Sequence, residues 1–193
     1  SDHLDFLFNF SDSVVDFASQ YDMNVIINYH DVLNHKGEYE NPEAETIGYL
    51  KEFWNSVAYQ YKNRNHVFYE LWNEPVGFPN EFSDELLDSM AVVYSLINNI
   101  APETHISLFT FAGICSPFDP YHKTTMFSKV TRFEELHPGL VNWEKASVNF
   151  HIYGGYNVSD PILEVMKDYP VLSGETNFPF NQNVPVLDRD AQT

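Results

Sequence analysis

Short apolar runs alternate along this chain with longer segments in which apolar residues recur every three or four positions. Five of the runs are rich in β-branched and aromatic residues, which predicts buried strands beginning near residues 24, 66, 106, 147 and 170. Apolar residues at helical spacing form one face of a predicted helix between the first two strands: Ile47, Leu50, Trp54, Val57, Ala58 and Tyr61. The strand and helix rhythm predicts an α/β fold with parallel strands and helical crossovers.

The remaining connections complete this pattern with one exception. Residues 13 to 20 have the pattern of the end of an amphipathic helix, and Ser83 is a suitable N-cap for a second long helix. A short helix is predicted from Pro161 to Asp168. The crossover from 112 to 146 is rich in Pro, Asp and Thr, which predicts a long irregular loop with one helical turn around Phe133 to Leu136.

Polar side chains gather where the predicted strands end. The residues at these carboxyl ends are His30, Asp31, Asn73, Glu74, His151, Tyr153 and Glu175. In parallel α/β folds this edge of the sheet binds ligands and carries out chemistry. The sequence therefore predicts a functional site built from the ends of four different strands.

Four of the strand segments carry a family resemblance. The segment "YELWNEP" resembles the fourth barrel strand of the clan A glycoside hydrolases, and most of all that of the cellulase family, glycoside hydrolase family 5. The segments "VIINYHD", "VNFHIY" and "PVLSGET" resemble the third, sixth and seventh strands of that family, in the same order and at similar spacing.

The resemblance implies a particular fold. The family has a (β/α)8 TIM barrel, which typically needs about 250 residues. The chain of 193 residues is expected to be one glycoside hydrolase catalytic domain over 1–193, truncated at both ends, with roughly strands three to seven and their helices. A second-strand arginine and an eighth-strand tryptophan, both expected in the family, find no match, and the two end strands are expected to leave open sheet edges.

The resemblance also implies a mechanism with two carboxylates. Retaining glycosidases use a pair of carboxyl groups about 5 to 5.5 Å apart. By the match, Glu74 is the acid/base, which must carry a proton when the reaction begins, and Glu175 is the ionised nucleophile. Tyr153 is expected to donate a hydrogen bond to Glu175, and Asn73 to hold the 2-hydroxyl of the sugar.

Other residues receive weaker or structural assignments. His30 and His151 are expected to bind sugar hydroxyls or to orient the two glutamates. Glu70, four residues before Glu74, lies at another level of the barrel and is expected to be paired structurally or exposed. Three further residues are candidates for lining sugar subsites: His35, Tyr156 and Phe178.

Composition and charge exclude several kinds of partner. The net charge of −18 is unfavourable for binding nucleic acid or an anionic membrane surface. The single cysteine, Cys115, allows no internal disulfide, and no histidine or carboxylate spacing typical of a metal site is present. No cofactor is therefore expected. No signal peptide is visible, and the family resemblance implies an extracellular or periplasmic location.

The most specific functional hypothesis is an endo-β-1,4-glucanase, a retaining O-glycosyl hydrolase that acts on a polysaccharide or oligosaccharide, and is a monomer when the barrel is complete. Mannanase, xylanase or β-1,3-glucanase activity of the same family stays open, because subsite loops decide specificity. An inactive carbohydrate-binding barrel fragment is the alternative from another class.

Overall fold

The computed structural model describes residues 2–30, 44–76, 82–111, 122–153 and 159–177, and in the described chain five strands form one sheet. The strands are β1 (Val25–Asn28), β2 (Val67–Glu70), β3 (Ile106–Phe111), β4 (Ala146–Tyr153) and β5 (Val171–Asn177). They follow chain order across the sheet, and every neighbouring pair is parallel. All five predicted strands are therefore confirmed, and their carboxyl ends lie at one edge.

Five helices connect the described strands or precede them. They are α1 (Asp2–Gln20), α2 (Ala44–Tyr61), α3 (Asp84–Ile100), α4 (His122–Leu136) and α5 (Ser159–Val165). Ser83 caps α3 as predicted, because its hydroxyl accepts a hydrogen bond from the backbone N–H of Leu86 at 3.2 Å. None of the helices in the described ranges is both long and apolar enough to cross a membrane.

The prediction of a long loop before β4 was wrong. Helix α4 has 15 residues instead of one turn, and its apolar residues Met126, Val130 and Phe133 are all buried. Phe133 meets Phe109 of β3 edge to face, with ring centroids 5.2 Å apart. These three residues are spaced four and three positions apart, as on one face of a helix, but the Pro, Asp and Thr content of the whole crossover resembles that of a loop.

Aromatic side chains fill much of the core between the sheet and the helices. Trp54 of α2 is fully buried against Tyr69 of β2, with ring centroids 5.1 Å apart. Its indole N–H donates to the carbonyl oxygen of Leu71 at 2.8 Å. This hydrogen bond fixes the backbone of the segment just beyond β2, where Asn73 and Glu74 follow.

Two irregularities in strand pairing change which residues lie level with each other. In β3 the register shifts between Leu108 and Phe111, and Phe109 has a φ of 56°. Between β4 and β5 the partners are Phe150 with Ser173 and then His151 with Glu175, so Gly174 is the extra residue. Such bulges redirect side chains and are frequent beside active sites.

Candidate active site

The site lies at the carboxyl edge of the sheet, where three strands present ionisable groups to one another. His151 of β4 is paired in register with Glu175 of β5 because of the bulge at Gly174. Strand β2 has four residues and ends at Glu70, and Glu74 lies in the segment that follows it. Chain segments more than 70 residues apart in sequence therefore meet around one imidazole ring.

His151 is the centre of this cluster. Its Nδ1 lies 2.7 Å from Glu74 Oε1 and 3.8 Å from Glu175 Oε2. Its Nε2 lies 3.6 Å from Glu70 Oε1, beyond hydrogen-bond length but within the range of an ion pair. The side chain of His151 is 0% exposed, whereas those of Glu74 and Glu175 are 18% and 36% exposed. The two predicted carboxylates can thus reach a ligand from the solvent side, with the histidine beneath them.

The three carboxylates determine the charge of the histidine. Burial lowers the pKa of His151, but the facing carboxylates of Glu70, Glu74 and Glu175 outweigh burial and raise that pKa to about 9. The ring is therefore an imidazolium at neutral pH, with both nitrogens as donors. The Nδ1–H group donates to Glu74 and lies close enough to Glu175 to stabilise negative charge on either carboxylate.

The backbone at Glu74 is unusual. Its φ is 40°, in the left-handed region that residues other than glycine rarely occupy. Such conformations cost free energy and are concentrated at functional sites. The preceding Asn73 is 2% exposed, its backbone N–H donates to Tyr29 O at 2.9 Å, and its Oδ1 has no hydrogen-bond partner among the described residues.

The remaining predicted site residues have different outcomes. His30 is exposed after β1, and its Nδ1 lies 3.4 Å from Asn28 Nδ2, so the described contacts do not join it to the His151 cluster. The backbone of Tyr153 pairs with Asn177 at the end of β4, but its side chain lies outside the described part of the structure. The residues Asp31, His35, Cys115, Tyr156 and Phe178 lie outside the described ranges altogether.

Glu70 was predicted to be structurally paired or exposed, and the structure shows it paired. It is 2% exposed and accepts a hydrogen bond from Thr110 Oγ1 at 2.7 Å. Thr110 in turn accepts one from Asn149 Nδ2 at 3.2 Å. No local pattern singles out Thr110 or Asn149, although Asn149 stands two residues before His151 and so faces the same side of β4.

Asn149 also holds the bulge that positions Glu175. Its Oδ1 accepts from Gly174 N at 2.8 Å and from Phe150 N at 2.9 Å. A Cβ at position 174 would lie only 2.7 Å from Asn149 Nδ2 and 3.0 Å from its Oδ1. A glycine is therefore required by the close approach of the asparagine. Among the described residues, no group of three or more His, Cys, Asp or Glu has an arrangement that could hold a metal ion.

The close approach of Asn149 to Gly174 leads to a prediction about the stability of the fold. Gly174→Ala should destabilise the fold by about 1–3 kcal/mol, as overpacking typically does, because the displaced amide belongs to a buried hydrogen-bonded network. Gly48→Ala is the matched control: nothing lies within 4 Å of a Cβ there, in the interior of α2, and alanine should stabilise that helix by roughly 0.5–1 kcal/mol. Urea unfolding of both variants measures the difference. Equal effects of the two substitutions would contradict the close approach.

Comparison with known families gives a match over nearly the whole chain. The family described as Cellulase (glycosyl hydrolase family 5) matches residues 5–186. Among curated proteins, Endoglucanase 3 of Fibrobacter succinogenes is 37% identical over 76 residues, which is 37% of this chain and 11% of that protein.

Solved structures show the same fold at low sequence identity. The catalytic domain of endoglucanase Cel5A from Thermobifida fusca is 18% identical with a TM-score of 0.64, over 94% of this chain and 56% of that one. Cel5A (EG2) of Hypocrea jecorina is 15% identical with a TM-score of 0.58, over 77% of this chain and 43% of that one. The chain thus spans about half the length of these structures and forms part of a (β/α)8 barrel.

Proposed function

Because this chain belongs to the cellulase family, glycosyl hydrolase family 5, we propose that the protein hydrolyses β-glycosidic bonds with retention of configuration. Glu74 is the acid/base and Glu175 the nucleophile in this proposal. One observation carries it: two carboxylates, one from the segment after β2 and one from β5, are both reachable from solvent and share a buried imidazolium at the carboxyl edge of the sheet.

The spacing of the two carboxylates accommodates the retaining route. Their nearest oxygens both approach His151 Nδ1, at 2.7 Å and 3.8 Å, so those oxygens are at most ~6.5 Å apart. Retaining enzymes hold their carboxyl groups about 5 to 5.5 Å apart, whereas inverting enzymes need about 6.5 to 9.5 Å to admit a water. The retaining separation lies within this bound.

In the first step, an oxygen of Glu175 attacks the anomeric carbon and forms a glycosyl ester. The bond from that carbon to the leaving oxygen breaks, and the leaving oxygen takes the proton of Glu74. In the second step, a water attacks the same carbon and gives its proton to Glu74, while the ester bond breaks and its electron pair returns to Glu175. Two displacements at one carbon retain its configuration.

His151 suits this cycle because both carboxylates lie within ion-pair range of its Nδ1. Before the first step Glu175 carries the negative charge and Glu74 carries the proton. After that step Glu74 is ionised and Glu175 is a neutral ester. The imidazolium lies within 2.7 Å of one carboxylate and 3.8 Å of the other, so it faces one ionised site carboxylate at each stage.

Asn73 supplies the contact to the sugar. We assign its side chain to the 2-hydroxyl of the substrate, as the family resemblance implies. Its Oδ1 lacks a hydrogen-bond partner among the described residues, and a buried acceptor normally has one. A hydroxyl that donates to this oxygen in the transition state would stabilise the transition state more than the ground state.

The substrate we propose is a polysaccharide or oligosaccharide with β-1,4-linked glucose, cut at internal bonds. The support comes from relatives named as endoglucanases, one of them solved in complex with cellotetraose. Mannan, xylan and β-1,3-glucan are the competing substrates within the family. The extracellular or periplasmic location and the monomeric state of the complete barrel remain part of the same proposal.

Incubation with soluble carboxymethylcellulose tests the proposal. We expect the viscosity to fall rapidly while few reducing ends are released, which is the mark of internal cleavage. Proton NMR should show the β-anomer of the product first, as retention requires. Parallel incubations with mannan, xylan and β-1,3-glucan rank the alternatives. The α-anomer appearing first would contradict retention, and binding to the glucan without any reducing ends would favour the inactive carbohydrate-binding alternative.

A further inference from the structure

We propose that Glu70 is a positioning residue of this site, which pairs with the inner nitrogen of His151 and is itself held by Thr110 and Asn149. The role in catalysis rests on the function proposed above, whereas the pairing rests on geometry alone. Glu70 would touch no substrate. Its task would be to fix the imidazolium so that the outer nitrogen keeps facing Glu74 and Glu175.

A buried carboxylate requires a partner of opposite charge or several hydrogen bonds. Glu70 is 2% exposed, and its Oε1 accepts from Thr110 at 2.7 Å and lies 3.6 Å from His151 Nε2. Removing an ionised group from water costs several kcal/mol unless such contacts offset the loss. Glu70 therefore stabilises a positive charge on the ring of His151.

The hydrogen-bond network fixes the direction of each donor. The Oδ1 atom of Asn149 accepts from two backbone N–H groups, those of Phe150 and Gly174, so its other terminal atom is the amide nitrogen. That nitrogen donates to Thr110 Oγ1. The single hydroxyl hydrogen of Thr110 is then left to donate to Glu70. The donor and the acceptor of each hydrogen bond between Gly174 and Glu70 are therefore assigned in one way only.

The bulge in β3 makes this network possible. Ser107 contacts Ser147, and Thr110 contacts Asn149, two residues further along β4. In a regular strand, residues 107 and 109 would share a face, which would point Phe109 at Asn149. The bulge places Thr110 there instead, and Phe109 packs on Phe133 of α4.

Asn149 consequently links both sides of the site. It holds the bulge at Gly174, which sets Glu175 level with His151, and through Thr110 it holds the carboxylate of Glu70. The charged groups in described contact with His151 are Glu70 and Glu74, from β2 and the segment after it, and Glu175 from β5. Asn149, two residues before His151 in β4, carries no charge.

The titration of His151 tests the inference without any substrate. Imidazole carbon and proton resonances of the whole protein are followed by NMR from pH 5 to 10, and the His151 signal is assigned by its loss in His151→Gln. Glu70→Gln should lower the titration midpoint by at least about one pH unit, a tenfold change in the protonation equilibrium. Glu144→Gln, which removes an exposed carboxylate, is the control and should leave the midpoint unchanged.

Two variants of Thr110 carry the test should Glu70→Gln fail to fold. Thr110→Val removes the hydroxyl and should lower the midpoint in the same direction, while Thr110→Ser keeps it and should restore the original value. The inference is overturned if the His151 midpoint moves by less than about 0.3 pH unit in Glu70→Gln. If Glu70→Gln does not fold, the same limit applies to Thr110→Val.

Kinetics separates this inference from the proposed function. If the protein hydrolyses glucan, Glu70→Gln should lower kcat with little change in KM, because the residue contacts no sugar. If it hydrolyses nothing while the titration behaves as expected, the proposed function fails and the pairing stands. Hydrolysis together with an unmoved midpoint would reject the pairing alone.

Discussion

Glu175→Gln is expected to abolish turnover of every β-glucoside, by at least about 10⁴-fold, because no group remains to form the glycosyl ester. Glu74→Gln should behave differently. On glucan it should lose about 10²–10⁴-fold, the usual contribution of general acid catalysis. On an aryl cellobioside whose phenol leaves without a proton, it should still complete the first step.

Stopped-flow release of dinitrophenol from dinitrophenyl β-cellobioside distinguishes the two variants. Glu74→Gln should give a burst of about one phenol per enzyme followed by slow turnover, since the second step lacks its base. Glu175→Gln should give no burst, and Glu144→Gln should match the unmodified enzyme. A burst from Glu175→Gln, or identical behaviour of the two variants, would show that the roles are wrongly assigned.

The free energy of unfolding should fall as the pH rises from 6.5 to about 9. The pKa of His151 is raised from the usual 6.5 to about 9 by the facing carboxylates, so the folded state holds a proton that the unfolded state has lost. The stabilisation is complete below pH 6.5 and disappears above about 9. Its size is on the order of 3 kcal/mol.

Urea unfolding at intervals across this pH range measures the effect. His151→Gln should remove most of the slope, whereas His30→Gln, which replaces an exposed histidine, should retain it. His105 does not interfere, because burial lowers its pKa below the usual 6.5. Its titration therefore changes the free energy of unfolding only at pH values below about 6.5. A slope that persists unchanged in His151→Gln would mean that another group titrates in this range.

The strands and the edge that carries the site could be predicted from sequence because both depend on local patterns. Continuous apolar runs are typical of strands buried on both faces, and β2 and β3 are buried along nearly their whole length. Polar residues directly after such runs must lie at the carboxyl edge. Parallel pairing then brings Glu74, His151 and Glu175 together without knowledge of their contacts.

The parts that could not be predicted depend on register. A bulge moves every later residue of a strand to the other face, and no local signal in "HISLFTF" indicated one before Thr110. The bulge at Gly174 likewise decides that Glu175, not its neighbour, is level with His151. Glu70 was set at a different level from Glu74, but only the position of the His151 ring shows that it reaches the same imidazole.

The most direct test of Glu175 as the nucleophile is to trap the glycosyl ester. A 2-deoxy-2-fluoro-β-cellobiosyl fluoride should inactivate the enzyme, because the electronegative fluorine slows both steps while the good leaving group speeds only the first. Mass spectrometry of the digested protein should then find the added cellobiosyl mass on the peptide that contains Glu175. A label on any other residue, or an enzyme that hydrolyses glucan but is never labelled, would contradict the central assignment.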